Sequence, residues 1–257
     1  MTALFFIDVL KKQPSFVHGT SPRCHVKNGV RKPLFCSDKG DEKLFLEDQI
    51  VFLHSLKIVT KVFFRVTQVH GNHVYVLKDS SIPVSEVGLC EADAIITHIP
   101  DCPIVVLTAD CVPIIIYDPI KHVVGIVHAG RLGTQKRIFT NTVEALSREY
   151  GSKPKNLIVG MGPAIRGCCY ELDEPCALPF IKKSPFSSEF INKIEGNKFF
   201  VDLPKVNRFE GYEAGILMKN IYTDGPCTSC ENDRWYSYRR EGKTGRLITL
   251  AMLQSRE

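Results

Sequence analysis

Between residues 61 and 128 the apolar positions come in short runs, some alternating and some continuous, separated by turn residues. Lys61-Val62-Phe63-Phe64-Arg65-Val66-Thr67-Gln68-Val69 alternates β-branched and aromatic side chains, while Pro103 to Asp110 and Val123 to Val127 are nearly unbroken. Runs this short and this rich in Val, Ile and Phe predict strands over 61–69, 73–78, 93–98, 103–110, 113–117 and 123–128. Gly71-Asn72, Pro83, Pro100, Pro103 and Asp118-Pro119 mark the turns. Then the period changes. Leu132, Gln135, Phe139, Val143, Leu146 and Tyr150 step by three and four, which predicts one helix over 132–150 ending at Gly151. Further strands are expected over 156–160, 198–202, 235–239 and 245–253, and helices over 42–56 and 203–219. Residues 4–7 read as a strand, 17–22 as strand then turn, 24–40 as a loop, and 175–180 and 187–194 as helical or loop pieces of a cap. No repeat or low-complexity linker divides the chain, so one domain over residues 1–257 is expected.

Composition narrows the class. The chain has 257 residues, 44% hydrophobic and 24% charged, which suits a globular enzyme with a large core. Its net charge of +5 is dispersed among acidic residues. Without helix-turn-helix, finger or RNP-type text, this favours small anions over nucleic acid as partners. Residues 1–8 lack a basic leader and Asp8 interrupts their apolar run, so neither a signal peptide nor a membrane span is expected. The ten cysteines then read as reduced thiols of a cytoplasmic protein.

Three soft or borderline metal ligands each sit just past a predicted strand or at its end: His70, Cys111 and His128. Two imidazoles and a thiolate suit zinc and leave a fourth position open. Their separations of 41 and 17 residues are not those of a zinc finger. Taken singly, each has an alternative as a hydrogen-bonded strand-end histidine or a small buried thiol. Asp93 is placed to cap a turn or orient a ligand. Gln68 shares a strand face with His70, and Asp110 faces away from Cys111 toward a supporting role. The start of the predicted helix, four residues after His128, is suited to phosphate. Cys227-x-x-Cys230 has a ligand spacing and could complete a Cys₄ site with Cys168-Cys169. Neighbouring strand residues point to opposite faces, however, so core thiols are the leading expectation there.

Thr67 to Gly71, Glu91 to Thr97, Leu107 to Pro113 and Val127-His128-Ala129-Gly130-x-x-Gly133-Thr134 occur in that order. Gly162-Pro163-Ala164-Ile165-x-x-Cys168-Cys169-Tyr170-Glu171, Asp202 to Arg208, Cys227-Thr228-x-Cys230 and Ser237 to Arg246 follow. Together these resemble the YfiH-like laccase-domain family, also called the multicopper polyphenol oxidase or purine nucleoside phosphorylase family. His18 to Arg23 is similar to the family's N-terminal His-Gly-x-Ser/Thr-x-Arg. The resemblance implies an α+β fold of mixed β-sheets flanked by helices, layered α/β/β/α. It implies zinc at His70, Cys111 and His128, with copper the alternative metal, and purine nucleosides and phosphate as substrates. The implied chemistry is phosphorolysis of adenosine, inosine, guanosine and methylthioadenosine, with adenosine deamination besides. Arg23, Gln68 and Arg131 are the expected substrate contacts. Gly130-Arg131-Leu132-Gly133 departs from the family's Gly-Trp-Arg-Gly, and the one-residue shift of the Arg turns its side chain by about 100°. Arg239 and Arg240 match the family's Ser-Tyr-Arg-Arg, and a salt-bridged basic hairpin with Glu241 is expected of them. Three other readings stand beside this one. They are a hydrolase with Cys111 as nucleophile and His128 as base, a copper-dependent polyphenol oxidase, and a non-catalytic metal-binding protein. For the oxidase, His18, His25, His54, His73, His98 and His122 are scattered singly.

Overall fold

The central strands are apolar on both faces, and each face therefore needs its own cover. The computed structural model describes residues 3–27, 30–35, 42–60, 62–183 and 187–255. In chain order the elements begin with α1 (Asp8–Lys11), β1 (Phe16–Thr20), β2 (Cys24–Lys27), β3 (Val30–Pro33), α2 (Glu42–Ser55), β4 (Val74–Leu77) and α3 (Val84–Leu89). Next come β5 (Ala94–Thr97), β6 (Ile104–Thr108), β7 (Val112–Asp118), β8 (Val123–Ala129), α4 (Arg131–Gln135), α5 (Ile138–Tyr150) and β9 (Ile158–Met161). The remainder is β10 (Glu171–Asp173), α6 (Glu174–Lys183), β11 (Ile191–Ile194), β12 (Lys198–Val201), α7 (Leu203–Glu213), β13 (Ile221–Tyr222), α8 (Tyr238–Glu241) and β14 (Leu247–Leu253).

A six-stranded sheet runs β13-β9-β7-β8-β5-β4, antiparallel in its middle and parallel at its two edge pairs. A three-stranded antiparallel sheet runs β1-β14-β6. A smaller sheet, β10-β12-β11, and the β2-β3 hairpin complete the set. Period-2 alternation then builds the layers. Ile114 and Ile116 of β7 turn toward Phe139, Val143 and Leu146 of α5 and Val206 of α7. Ile115 and Tyr117 turn the other way, with Val124 and Ile126 of β8, to meet Ile104 and Val106 of β6 and Ala251 and Leu253 of β14. The far side of that second sheet, with Val105, Leu250 and Met252, is covered by Phe52, Leu53 and Leu56, from α2 and the residue just past it. Helix, sheet, sheet, helix is the α/β/β/α layering expected.

Several local expectations fail for physical reasons. Residues 62–69 are extended, but Phe64 and Thr67 make only single bridges, to Ile104 and Glu91, and residue 61 lies outside the described residues. Farther along β6 a side chain stands in for the ladder: Leu107 N–H donates to Gln68 Oε1 and Gln68 Nε2 donates to the Leu107 carbonyl, both at 2.8 Å. The expected strand at 235–239 is instead an irregular buried segment with Trp235 and Tyr236, followed by α8, whose first turn is capped by Ser237. The expected helix 132–150 is two helices, broken at Arg137, which is left-handed at φ 64°. The expected helix 203–219 stops at Glu213, before Gly215 at φ 90°. Part of the expected 24–40 loop is the β2-β3 hairpin, while 36–40 lies outside the described residues. Residues 191–194 form a strand.

Candidate metal centre

Strand register brings the chemistry together. In the β7-β8 pair Val112 lies opposite Ala129 and Pro113 opposite His128, so Cys111, one residue before β7, sits at the open end beside His128. In the β5-β8 pair Ala94 lies opposite Val127, and the His128 N–H donates to the Asp93 carbonyl at 2.7 Å. Asp93, one residue before β5, is wholly buried. Its carboxylate accepts the Nδ1–H of His128 at 2.8 Å and the backbone N–H groups of Val69, His70 and Gly71 at 3.3, 3.0 and 2.6 Å. One side chain thus orients one imidazole and positions the loop that carries the other.

One nitrogen each from His70 and His128 and the Cys111 sulfur all lie within 4.8 Å of one another. Cys111 Sγ is 4.0 Å from His70 Nε2, and the two imidazole rings stand nearly perpendicular, 4.7 Å apart. A tetrahedral ion with Zn–N of ~2.0 Å and Zn–S of ~2.3 Å places N and S about 3.5 Å apart, so small side-chain rotations close the set. The donor set fits a borderline-soft ion with one position free. Gly130 is part of the geometry, since a Cβ there would lie 2.9 Å from Cys111 Sγ and 3.0 Å from His70 Cδ2.

Two non-glycine residues at the site adopt positive φ, His70 at 56° and Asp110 at 92°. Each costs on the order of 1–3 kcal/mol unless the surroundings hold it. Asp110 is held by the Thr228 hydroxyl and the Arg239 N–H, each donating to its carboxylate at 2.6 Å. The charges couple. Burial opposes a thiolate at Cys111, but the His128 charge and the hydrogen bonds from both imidazoles outweigh it and bring its pKa down to about 6. Burial likewise opposes an imidazolium at His128, yet Cys111 and Asp93 raise it to about 9. Burial alone would raise Asp93; its hydrogen bonds from His128, Gly71 and His70 hold it below the usual carboxylate range.

Tyr170, Arg131 and Arg239 form a neighbouring group. The Tyr170 hydroxyl is pushed up to about 12, first by burial and next by the Cys111 charge, while Arg131 and Arg239 pull the other way. Arg239 lies over the Tyr170 ring, 4.9 Å from its centre. Residue spacing did not single out Tyr170, although it lies in the Cys168-Cys169-Tyr170-Glu171 text. Of the two arginines, Arg240 pairs with Glu241, while Arg239 donates to the Glu171 carbonyl at 2.8 Å. Two expected substrate contacts are committed within the protein. Gln68 braces Leu107, and Arg23 donates to Glu241 at 2.9 Å and to the Asn232 carbonyl at 2.8 Å while stacking on Tyr236. Arg131 opens α4, a five-residue helix, so the long helix dipole expected beside His128 is not there.

A family described as multi-copper polyphenol oxidoreductase laccase matches residues 36–254. The chain belongs to that family. Among solved structures, this laccase-family chain is similar to YfiH of Bacillus licheniformis, with a TM-score of 0.88 and 25% identity, covering 99% of this chain and 97% of that one. YlmD of Geobacillus stearothermophilus has the same fold, with a TM-score of 0.83 at 24% identity over 94% of this chain and 93% of that one. A protein of Deinococcus radiodurans named purine nucleoside phosphorylase is 33% identical over 90% of this chain and 87% of its own. Purine nucleoside phosphorylase YlmD of Bacillus subtilis is 34% identical over 63% of this chain, and mouse purine nucleoside phosphorylase LACC1 is 29% identical over 89%. Those matches span only 59% of YlmD and 53% of LACC1. Despite the family's name, only two groups of three or more potential ligands occur among the described residues: this centre and Cys168, Cys169, Cys227 and Cys230. No helix among the described residues is long and apolar enough to cross a membrane.

Proposed function

We propose that this laccase-family member is a zinc-dependent purine nucleoside phosphorylase with adenosine deaminase activity, acting as a single cytoplasmic domain. Adenosine, inosine, guanosine and methylthioadenosine are its substrates. The observation that carries this reading is the convergence of two imidazoles and one sulfur on an open position, in a chain whose relatives are named purine nucleoside phosphorylases. His70, Cys111 and His128 would hold the ion. A bound zinc supplies Lewis acidity and a free coordination position for a substrate atom. The chain's own groups do the rest. Asp93, able only to accept, keeps the His128 proton on Nδ1 and turns the Nε2 lone pair toward the centre. Arg131 and Arg239 offer guanidinium charge to phosphate in place of a helix dipole. Tyr170, protonated at neutral pH, can donate a hydrogen bond to the purine or the sugar.

The test is incubation of pure protein with adenosine, with and without phosphate. Adenine release that requires phosphate supports phosphorolysis, and inosine formed without phosphate supports deamination. Neither product from a protein with its metal intact rejects both. A second reading is favoured by one observation: Cys111, His128 and Asp93 form a thiolate–imidazolium–carboxylate row, the layout of a Cys–His hydrolase. Alkylation that inactivates a demonstrably metal-free enzyme would select it.

A further inference from the structure

Four thiols that the nucleoside site does not use meet beside its wall. The Sγ atoms of Cys168, Cys169, Cys227 and Cys230 all lie within 4.8 Å of one another. Cys230 Sγ is 3.5 Å from Cys168 Sγ and 3.4 Å from Cys169 Sγ. Cys168 and Cys169 are in a turn, where the N–H groups of Cys169 and Tyr170 both donate to the Arg166 carbonyl at 2.9 Å. The rule that neighbouring strand residues face opposite ways therefore does not apply, and both sulfurs reach the same side. The second pair is brought alongside by the parallel bridge between Ala164 and Cys227, with Thr228 N–H donating to the Ala164 carbonyl at 3.0 Å.

We propose that Cys168, Cys169, Cys227 and Cys230 bind a single zinc ion, a second and closed metal site distinct from the His70-Cys111-His128 centre. Four bonds of ~2.3 Å in a tetrahedron place the sulfurs about 3.8 Å apart, within the range that the cluster already spans. Four soft thiolates select zinc over hard cations, and a site with no free position is structural rather than catalytic. Its place gives it a task. The first pair leads directly into Tyr170, and the second flanks Thr228, whose hydroxyl holds Asp110 beside Cys111. The ion ties together two separate supports of the nucleoside pocket. Filling requires four thiols to lose their protons, so uptake falls as pH falls.

Metal analysis of the full chain is expected to give two zinc ions per molecule, falling to one in Cys168→Ser and in Cys227→Ser. His70→Ala is expected to lose one zinc as well, but from the other centre. Cobalt replacement separates the two: the strong sulfur-to-cobalt absorption persists in His70→Ala and loses most of its intensity in Cys227→Ser. Should the cysteine variants fail to fold, alkylation of the wild type decides. The four thiols are expected to be protected until a chelator is added. A single zinc per chain with these cysteines freely alkylated, paired as disulfides, or holding iron would overturn the assignment. These readouts count metal and thiols rather than turnover, so they stand whether or not the nucleoside assay succeeds.

Discussion

The Asp93 carboxylate, wholly buried, serves the His128 ring and three backbone N–H groups at once. Asp93→Ala would leave those donors unpaired, each at about 1–3 kcal/mol where water cannot enter. It would also free the His128 tautomer. Zinc affinity is expected to fall 10–100-fold, measured by chelator competition, with a loss of about 3–5 kcal/mol in urea denaturation. Unchanged affinity would show that something else orients His128. Gly130→Ala tests shape alone, because its backbone is ordinary at φ −76°. The added methyl meets the ligand sulfur, and zinc content should drop while the fold, followed by circular dichroism, persists. His18 is a separate residue-scale case. It is 3% exposed, accepts from the Ile7 N–H at 2.9 Å and packs between Phe6 and Phe16. Burial first, and Lys11 nearby, lower its pKa to about 4. Between about 4 and 6.5 the unfolded chain holds the proton and the folded chain does not, so stability falls as pH drops through that window. The loss approaches about 3 kcal/mol below it. His18→Gln keeps an acceptor without the titration, so its denaturation midpoint between pH 4 and 7 should be flatter than that of the wild type.

At the scale of elements, the break between α4 and α5 is the instructive case. The three-and-four spacing runs straight through it, and no Gly or Pro marks residues 136–137. The junction is held from outside: Asn72 Nδ2 donates to the Lys136 carbonyl at 3.2 Å, and Asn141 Nδ2 to the Asn72 carbonyl at 3.1 Å. A contact with a residue over sixty positions away cannot be read from local periodicity. Arg137, exposed and left-handed, carries roughly 1–2 kcal/mol of strain. Arg137→Gly should therefore raise stability by about 1 kcal/mol in urea denaturation, where a Gly in a right-handed helix interior would lower it by a similar amount. The C-terminus of α5 was legible for the opposite reason. Gly151 at φ 66° closes it with local bonds to Ser147 and, through Ser152, to Leu146.

For the whole molecule, β8 is the shared wall of two cores, with Val127 facing the helices and Ile126 facing the second sheet. Ile126→Ala opens a cavity between two sheets that cannot collapse without moving both, so a loss of about 2–5 kcal/mol is expected. A loss under about 1 kcal/mol would mean the sheets are not packed as rigid layers. The strand order also explains why the site lies where it does. β5, β8 and β7 are neighbours although β6 intervenes in sequence, and their aligned ends place Asp93, His128 and Cys111 in one row.

By itself, the sequence determined where most strands fall, where α2 and α5 end, and that His70, Cys111 and His128 stand at or near the ends of extended segments. Alternation and capping are local, and they act through neighbours a few positions apart. Tertiary structure alone decided that these three side chains converge, that Asp93 serves two of them, that Gln68 and Arg23 are turned to internal bonds, and that four cysteines meet. Such meetings depend on the register between segments far apart in the chain. A slip of one residue between β7 and β8 would part His128 from Cys111.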